Sequence, residues 1–402
     1  MPEEPIKVLL VEDSPTYALL VRSMLAADSS GSFCVTTTDR LDAAIARAHA
    51  EPFDVMLLDL VLPDAQGLET FQRAHAALPS IPIVVMTGLG DDALAMDMIQ
   101  RGAQDYLPKA RVMDGIVPRA IRYAIERNRA RMEREHYAAE LEKNNRELED
   151  ELRMARDIQQ ALLPHSYPRF LRDALHFDHC YRPAAMLSGD FFNVLRLSET
   201  KAGVLICDVM GHGVRAALIG ALARGLVDQS MPVANRPGEF LSEINRELAG
   251  ILKQTGIDAF ASAFYCVMDL SERHLTYANA GHPSGLVMRR DAGAVDWLGG
   301  NGKGTSPLGL IGDVAYPAFE TALAPHDSVL LFTDGLFEAE NAAGEEFGRK
   351  RLFDAVSRRL NSPCDQLLGE LIGESQRFSG HEDFTDDVCL VVADVVNSIG
   401  MN

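Results

Sequence analysis

Two sets of acidic residues stand out for where they fall relative to apolar runs. In the N-terminal part, Glu12 and Asp13 follow the run Val8–Val11, and Asp59 ends the run begun at Val55. Thr87 ends Ile83–Thr87, and Lys109 follows the weaker run Asp105–Leu107. Three carboxylates brought to one edge cannot all ionise comfortably without a cation, and hard oxygen ligands suit Mg²⁺. A hydroxyl and an ammonium at the same edge complete a set fitted to phosphoryl transfer onto a carboxylate, with metal and lysine neutralising the phosphoryl oxygens.

The second set is Asp190 in SGDFFNV, Asp208 in LICDVMGHG, Asp334 in LLFTDGLFE and Asp386 in TDDVCLVV. Asp208 and Asp334 close strongly apolar runs and Asp386 precedes one. A carboxylate at the mouth of a buried strand is costly unless paired or metal-bound. Glycines beside Asp190, Asp208 and Asp334 permit tight turns and close approach of backbone carbonyls. Without His or Cys at ligand spacing, the set favours Mg²⁺ or Mn²⁺ over zinc. Two such ions would clamp a phosphoryl group and acidify a water between them.

The elements that must position these residues fall into three segments. A chain of 402 residues exceeds one ordinary core. Over residues 1–120, apolar runs (Val8–Val11, Cys34–Thr37, Val55–Leu58, Ile83–Thr87, Asp105–Leu107) alternate with helical patterns, which predicts an α/β doubly wound parallel sheet of five strands. Ligands of such sheets gather at the carboxyl ends of the strands. Residues 121–163 lack glycine and proline and are rich in Arg, Glu and Asn. Leu141, Leu148, Ala155 and Leu162 recur every seven residues, as do Ala138, Asn145, Leu152 and Gln159, predicting a coiled-coil linker and a homodimer, with Asn145 fixing register. Pro164 should stop the helix. Residues 164–402 alternate strand-like runs (Ala202–Asp208, Ala261–Asp269, His274–Ala280, Ser328–Thr333, Val388–Val395) with helical stretches (Ala216–Gln229, Gly238–Leu252, Lys350–Leu360), predicting an α+β domain built on an antiparallel β-sandwich flanked by helices.

The first set resembles the receiver domain of two-component response regulators, through VLLVEDS, VMLLDLVLPDAQGLE, VVMTG and DYLPK. The resemblance implies that Asp59 accepts phosphate, that Glu12 and Asp13 hold Mg²⁺ with it, and that Thr87 and Lys109 read the phosphate. Tyr106 stands where the family places its switch aromatic. A proline often follows the lysine in that family; here Ala110 does.

From about residue 150 onward the chain resembles the SpoIIE/RsbU-type branch of metal-dependent serine/threonine protein phosphatases (type 2C). The motifs run in order: RMARDIQQALLP, YRPA, SGDFF, CDVMGHGVRAAL, YANAGHP, SPLGL, FTDGLFEA and TDDV. By that resemblance Asp208 bridges two Mn²⁺ or Mg²⁺ ions, Asp334 and Asp386 complete one site, and Asp190 with the Val209 carbonyl completes the other. A bridging water would attack in line with the leaving serine or threonine oxygen. Departures are Ser188 for the first glycine of a GGD motif, Asn193 for an acidic residue and Cys389 for a threonine. Met210 stands where eukaryotic relatives carry a general-acid His. His212 lies nearby, His282 suits a turn-ordering role, and Arg182 is open to phosphate contact or a surface ion pair.

Other features are blander. GGNGKGTS (299–306) lacks the Ser or Thr a phosphate loop requires after Lys303 and reads as a glycine turn. Trp297 reads as core, and Leu218–Leu226 as an apolar helical face behind the Asp208 loop. The six cysteines are dispersed without a C-x-x-C pair, against a disulfide framework or zinc knuckle. A net charge of −20 argues against direct nucleic-acid contact or an acidic membrane surface. The start MPEEPIKVLLVED has no signal-peptide layout, and no apolar stretch is long enough for a bilayer span, predicting a cytoplasmic protein.

The resulting expectation is a receiver controlling a protein phosphatase through a dimerising connector. A sensor histidine kinase would supply the phosphate, phosphorylation would activate, and the substrate would be a phosphorylated STAS-type anti-sigma-factor antagonist. Two rivals stand against it: a non-enzymatic adaptor with a phosphatase-like binding domain, and a transcription factor using the Arg-rich helix at 119–134.

Overall fold

Continuous apolar runs become strands covered on both faces, the pattern of a parallel sheet between helices. The computed structural model describes residues 4–28, 32–88, 98–164, 166–168, 174–299 and 305–396. They fall into two units divided between Arg146 and Glu147.

In the first unit β1 (Ile6–Val11), α1 (Pro15–Ala27), β2 (Phe33–Thr38), α2 (Leu41–Ala50) and β3 (Val55–Asp59) alternate, followed by a small hairpin of β4 (Val61–Leu62) and β5 (Ala65–Gln66). Then come α3 (Leu68–Ala77), β6 (Ile83–Thr87) and β7 (Asp105–Pro108). The main sheet is parallel with order β2-β1-β3-β6-β7. Strand order reverses between β1 and β3, the crevice where such sheets bind ligands beyond the carboxyl ends of their strands. Ser14 accepts the Tyr17 N–H and Pro15 begins α1, so that helix starts immediately beyond Glu12–Asp13.

A single helix, α4, runs from Val117 to Leu162. Its first turns belong to the first unit's core, with Val117, Ile121, Ala124 and Ile125 packed under β1 and β3. Arg122 pairs with Asp28, and Asn128 Nδ2 donates to the Ser80 carbonyl at 2.8 Å. Further along, the heptad residues Leu141 and Leu148 are 61% and 57% exposed, an apolar seam left open on one chain.

The second unit is a four-layer α/β/β/α sandwich. One sheet has the order β15-β12-β11-β10-β9 and the other β14-β13-β16-β17-β8. The strands are β8 (Leu175–Arg182), β9 (Phe191–Arg196), β10 (Lys201–Val209), β11 (Ala261–Asp269), β12 (His274–Ala280), β13 (Leu286–Arg289), β14 (Ala294–Trp297), β15 (Phe319–Ala322), β16 (Ser328–Phe332) and β17 (Val388–Val395). Phe192, Ile206, Phe264, Leu331 and Val391 fill the space between the sheets. Helices α5 (Val214–Gln229) and α6 (Pro237–Thr255) cover one outer face; α7 (Gly348–Arg358) and α8 (Cys364–Ser379) cover the other. Thus the helices begin or end within a few residues of the predicted stretches, while α8 went unanticipated. Trp297 is half-buried and stacks on Phe353. On α5, Ile219, Ala223 and Leu226 face the core, but Leu218 is exposed, which corrects the expected packing of the whole Leu218–Leu226 face. Most of the predicted glycine turn, residues 300–304, lies outside the described residues.

Gly203 in β10 shows how closely these layers meet. A Cβ there would stand 2.3 Å from the hydroxyl of the fully buried Tyr265, itself fixed by donating to the Ala234 carbonyl at 2.9 Å. Gly203→Ala should therefore lower the stability of the second unit by about 1–3 kcal/mol in urea unfolding. Gly369→Ala, at an exposed position on α8 with open space around it, should raise it slightly. Equal midpoints for the two variants would contradict this packing.

Candidate functional site

At the carboxyl edge of the parallel sheet, Glu12, Asp13 and Asp59 bring their ligating atoms within 4.8 Å of one another, the tightest metal-competent acidic group among the described residues. Glu12 and Asp59 are buried and Asp13 is exposed. Thr87 is buried at the end of β6, the strand beside β3. Lys109 Nζ lies 2.8 Å from both Asp59 Oδ2 and Glu12 Oε2. Burial raises the Glu12 carboxyl above its ordinary value against the pull of Lys109. Burial also works against the Lys109 charge, but its bonds to Asp59 and Glu12 outweigh that and leave its pKa raised. Tyr17 lies beneath the ammonium, 4.7 Å from ring centre to Nζ. All five predicted residue types thus occupy one edge. The Ala110 departure does not displace the lysine, because the chain continues from it as a 3-10 turn, Lys109–Asp114. Tyr106 sits half-buried in β7, its N–H bonded to the Asp105 carboxylate.

The second site is built at one end of the sandwich. β9 and β10 pair antiparallel with Phe191 opposite Cys207, so the next residues along that register are Asp190 and Asp208. β16 and β17 pair with Phe332 opposite Leu390, which sets Asp334 beside the start of β17, where Asp386 lies. Thr333 joins these segments, accepting the Cys389 N–H at 2.9 Å and donating to the Asp387 carbonyl at 3.3 Å. A Cβ at Gly335 would stand 2.3 Å from that same carbonyl, so only glycine permits the approach. A Cβ at Gly189 would stand 3.0 Å from the Val209 carbonyl oxygen and equally close to the Ala216 side chain.

Electrostatics tie the four carboxylates together. Burial, then the Asp334 charge, raises the Asp208 carboxyl to about 7. Burial and the neighbouring Asp208 and Asp387 charges hold Asp190 well above the ordinary range. Burial and Asp386 raise Asp334. No described Lys or Arg forms an ion pair with any of the four. Asp190 Oδ2 is buried without a hydrogen-bond partner. Four carboxylates crowded in this way, three of them desolvated and none with a described cationic partner, fit divalent cations as their counter-charge. They are also spread more widely than the first group, as no three bring ligating atoms within 4.8 Å among the described residues, a spacing suited to more than one ion.

The remaining sequence candidates take minor places. His212 and Met210 are exposed beyond Asp208, and Arg182 is exposed at the end of β8 beside Cys180. His282 is buried at a turn, bonded through Nδ1 to Ser262 and through its backbone to Asn279 in both directions. Burial lowers its pKa to about 3, so it stays neutral. Asn193 lies within β9 opposite Leu205, and Cys389 within β17. Two residues escaped the sequence reading. Asp387, buried, accepts the Ala184 and Gly189 N–H groups at 2.8 and 3.1 Å; the doubled DD of TDDV was its signal. Gln159, named only as a heptad position, bonds Ser188 of its own chain through both ends of its amide.

Fold and sites together define a receiver-type sheet followed by a phosphatase-type sandwich. Residues 8–120 match the family described as response regulator receiver domain, and residues 198–396 match the family described as stage II sporulation protein E (SpoIIE). The chain is 27% identical over 247 residues to phosphoserine phosphatase RsbP of Bacillus subtilis (strain 168), covering 61% of this chain and 58% of that protein. It is 27% identical over 244 residues to phosphoserine phosphatase RsbU of the same strain, covering 60% and 69%. The chain thus spans under two thirds of the length of the first of these relatives. The SiaA-PP2C domain of Pseudomonas aeruginosa shares the fold of the second unit, with a TM-score of 0.54 at 23% identity over 63% of this chain and 99% of that one. The chain therefore carries a response regulator receiver domain followed by a SpoIIE-type phosphatase domain.

Because Asp208 is held at the centre of mutual repulsion, Asp208→Asn should stabilise the metal-free phosphatase domain, raising its thermal midpoint by about 2–4 °C for each kcal/mol relieved. The same change should abolish the rise in midpoint that Mn²⁺ gives the wild type. A metal-free midpoint that falls in the variant would contradict the electrostatic reading.

Proposed function

We propose that the chain is a phosphorylation-controlled, metal-dependent phosphatase acting on phosphoserine or phosphothreonine in a protein. The observation that carries this is the convergence of Asp190, Asp208 and Asp334, all raised by desolvation, with the exposed Asp386 at one end of the sandwich, none of them ion-paired to a described Lys or Arg. Asp208 would be shared by two Mn²⁺ or Mg²⁺ ions, with Asp334 and Asp386 on one side and Asp190 and the Val209 carbonyl on the other. Bound there, the cations would neutralise phosphoryl oxygens and lower the pKa of a water. The chain's own residues set the geometry: Asp387 and Thr333 fix the turns, and Gly189 and Gly335 let backbone close in around the carboxylates. The phosphorus–oxygen bond to the serine or threonine breaks as water oxygen adds to phosphorus, and a proton returns to the leaving oxygen.

In the receiver, Asp59 would take a phosphoryl group from a sensor histidine kinase, its carboxylate oxygen bonding to phosphorus as the donor's bond breaks. Mg²⁺ held by Glu12, Asp13 and Asp59 would neutralise the charge that develops. Lys109, which lies between Asp59 and Glu12, would meet a phosphoryl oxygen, and Thr87 would donate a hydrogen bond to it. Residues 121–163 would link this event to the phosphatase, as a coiled coil in a homodimer. The substrate proposed from the RsbU-type relatives is a phosphorylated STAS-type anti-sigma-factor antagonist, with phosphorylation of Asp59 activating.

Mn²⁺-dependent dephosphorylation of a phosphoserine STAS-type protein should fall on the order of 10²–10³-fold in Asp208→Asn, as for loss of one transition-state-stabilising group. Equal rates, or none in either protein, would replace the enzyme by an adaptor. Beryllofluoride should raise the wild-type rate several-fold and leave Asp59→Asn unchanged; equal wild-type rates with and without it would remove the coupling.

A further inference from the structure

The turn carrying Asp190 is held from several sides. Gly189 N–H donates to the Asp387 carboxylate at 3.1 Å, and Tyr181 hydroxyl donates to the Asp190 carbonyl at 3.2 Å. Asp190 N–H donates to Ser188 Oγ at 3.0 Å. Ser188, which is fully buried, is in turn gripped by one side chain of α4: Gln159 Nε2 donates to its carbonyl at 2.6 Å, and its N–H donates to Gln159 Oε1 at 3.2 Å. The primary amide thus satisfies both backbone groups of one residue, as a neighbouring strand would.

Around that amide pair the packing is thin. An apolar cavity of about 220 Å³ lies between Ala155 and Ile158 of α4 and Val214, Ala217 and Leu218 of α5, and it reaches Asp190. Ile158 and Leu218 are 60% and 67% exposed. The hydrogen bonds from Gln159 are therefore the directional contact through which the placement of α4 bears on the Asp190 turn. Asp190 Oδ2 is buried without a hydrogen-bond partner, while Thr333 and Asp208 also bear on the carboxyl, so the backbone turn is one of the things that set its position.

We propose that Gln159 is a positioning residue for the Asp190 carboxylate, acting through Ser188, so that the seating of α4 sets how well Asp190 can hold a cation. This rests on the reading of Asp190 as a cation ligand. Outer partners of metal ligands commonly change metal affinity about 10–100-fold when lost.

The test uses the full chain, with Mn²⁺ binding followed by electron paramagnetic resonance and by thermal midpoint. Gln159→Ala should raise the Mn²⁺ concentration for half-saturation about 10-fold. Its turnover on the phosphoserine protein should drop at limiting Mn²⁺ and recover at saturating Mn²⁺, with KM unchanged. A merely structural role would instead lower the metal-free midpoint without recovery by Mn²⁺, and that result would overturn the proposal. Gln159→Glu keeps size and acceptor but loses the donor; a smaller shift in the same direction supports the proposal should the alanine variant fail to fold, and an unshifted Mn²⁺ curve overturns it. Arg153→Ala, on an exposed face of α4, should leave both curves in place, and a shift equal to that of Gln159→Ala would also overturn it. If the wild type binds Mn²⁺ and Gln159→Ala binds it equally well, this inference alone fails. A wild type without any Mn²⁺ response overturns it together with the assignment of Asp190.

Discussion

Mutual repulsion of carboxylates held in a dry setting is the constraint on which the rest of the architecture turns. Asp190 and Asp208 are neighbours where β9 and β10 end, and Asp386, just before β17, lies close enough to Asp334 for its charge to raise that carboxyl. Left to itself such a cluster would splay, since each carboxylate lowers its energy by moving toward water. Backbone holds it closed. Asp387 ties β17 to the Gly189 turn and to Ala184, roughly two hundred residues away in sequence, and Thr333 splices the ends of β16 and β17. The sandwich core behind them supplies the rigidity, and the site draws its strain from that core.

The receiver solves the same problem differently. Its acidic group is tighter, yet Lys109 stands 2.8 Å from two of its members and supplies a built-in positive charge. A site that keeps an internal cation can rest without a ligand and respond when an incoming phosphoryl group competes for the lysine. A site with no cationic side chain depends wholly on what it binds. The first arrangement suits a switch and the second a catalyst.

Much of this was legible in the sequence where burial is two-sided. The receiver strands read as unbroken apolar runs because helices cover both faces, and the residue ending each run had to lie at the carboxyl edge. The sandwich was harder. Leu175–Arg182 (LHFDHCYR) and the exposed edge strand Phe319–Ala322 (FETA) carry polar residues on their open sides and show no long apolar run. Helix Cys364–Ser379 was hidden by Gly369 and Gly373, although Leu367, Leu368, Leu371 and Ile372 mark its buried face. The four site aspartates were readable from their turn signals. Asp387 had only the doubled aspartate of TDDV as a signal, and the partner of Gln159 had none, because each acts through hydrogen bonds to backbone distant in the chain, which spacing does not encode.

α4 is a single helix that contributes its first turns to one unit and its last turns to the other. Its 46 residues extend about 70 Å at 1.5 Å per residue, whereas charges are screened over about 8 Å at physiological ionic strength. A charge at one end of so long a helix is screened well before the other, so a signal carried along it would be a displacement or a change of packing partner. The helix is suited to either. Its middle is polar on most sides and carries i,i+4 pairs such as Glu142–Arg146 and Glu149–Arg153, which stiffen it at only a few tenths of a kcal/mol each. At its first turns Ile121, Ala124 and Ile125 fix it in the receiver core, and at its last turns Gln159 fixes it to Ser188. Between those anchors Leu141 and Leu148 remain open to a partner helix. Each anchor is local to its own unit: apolar side chains hold the first turns by packing, which tolerates small slips, whereas the amide of Gln159 holds the last turns to Ser188 by directional hydrogen bonds, and there the helix meets the Asp190 turn.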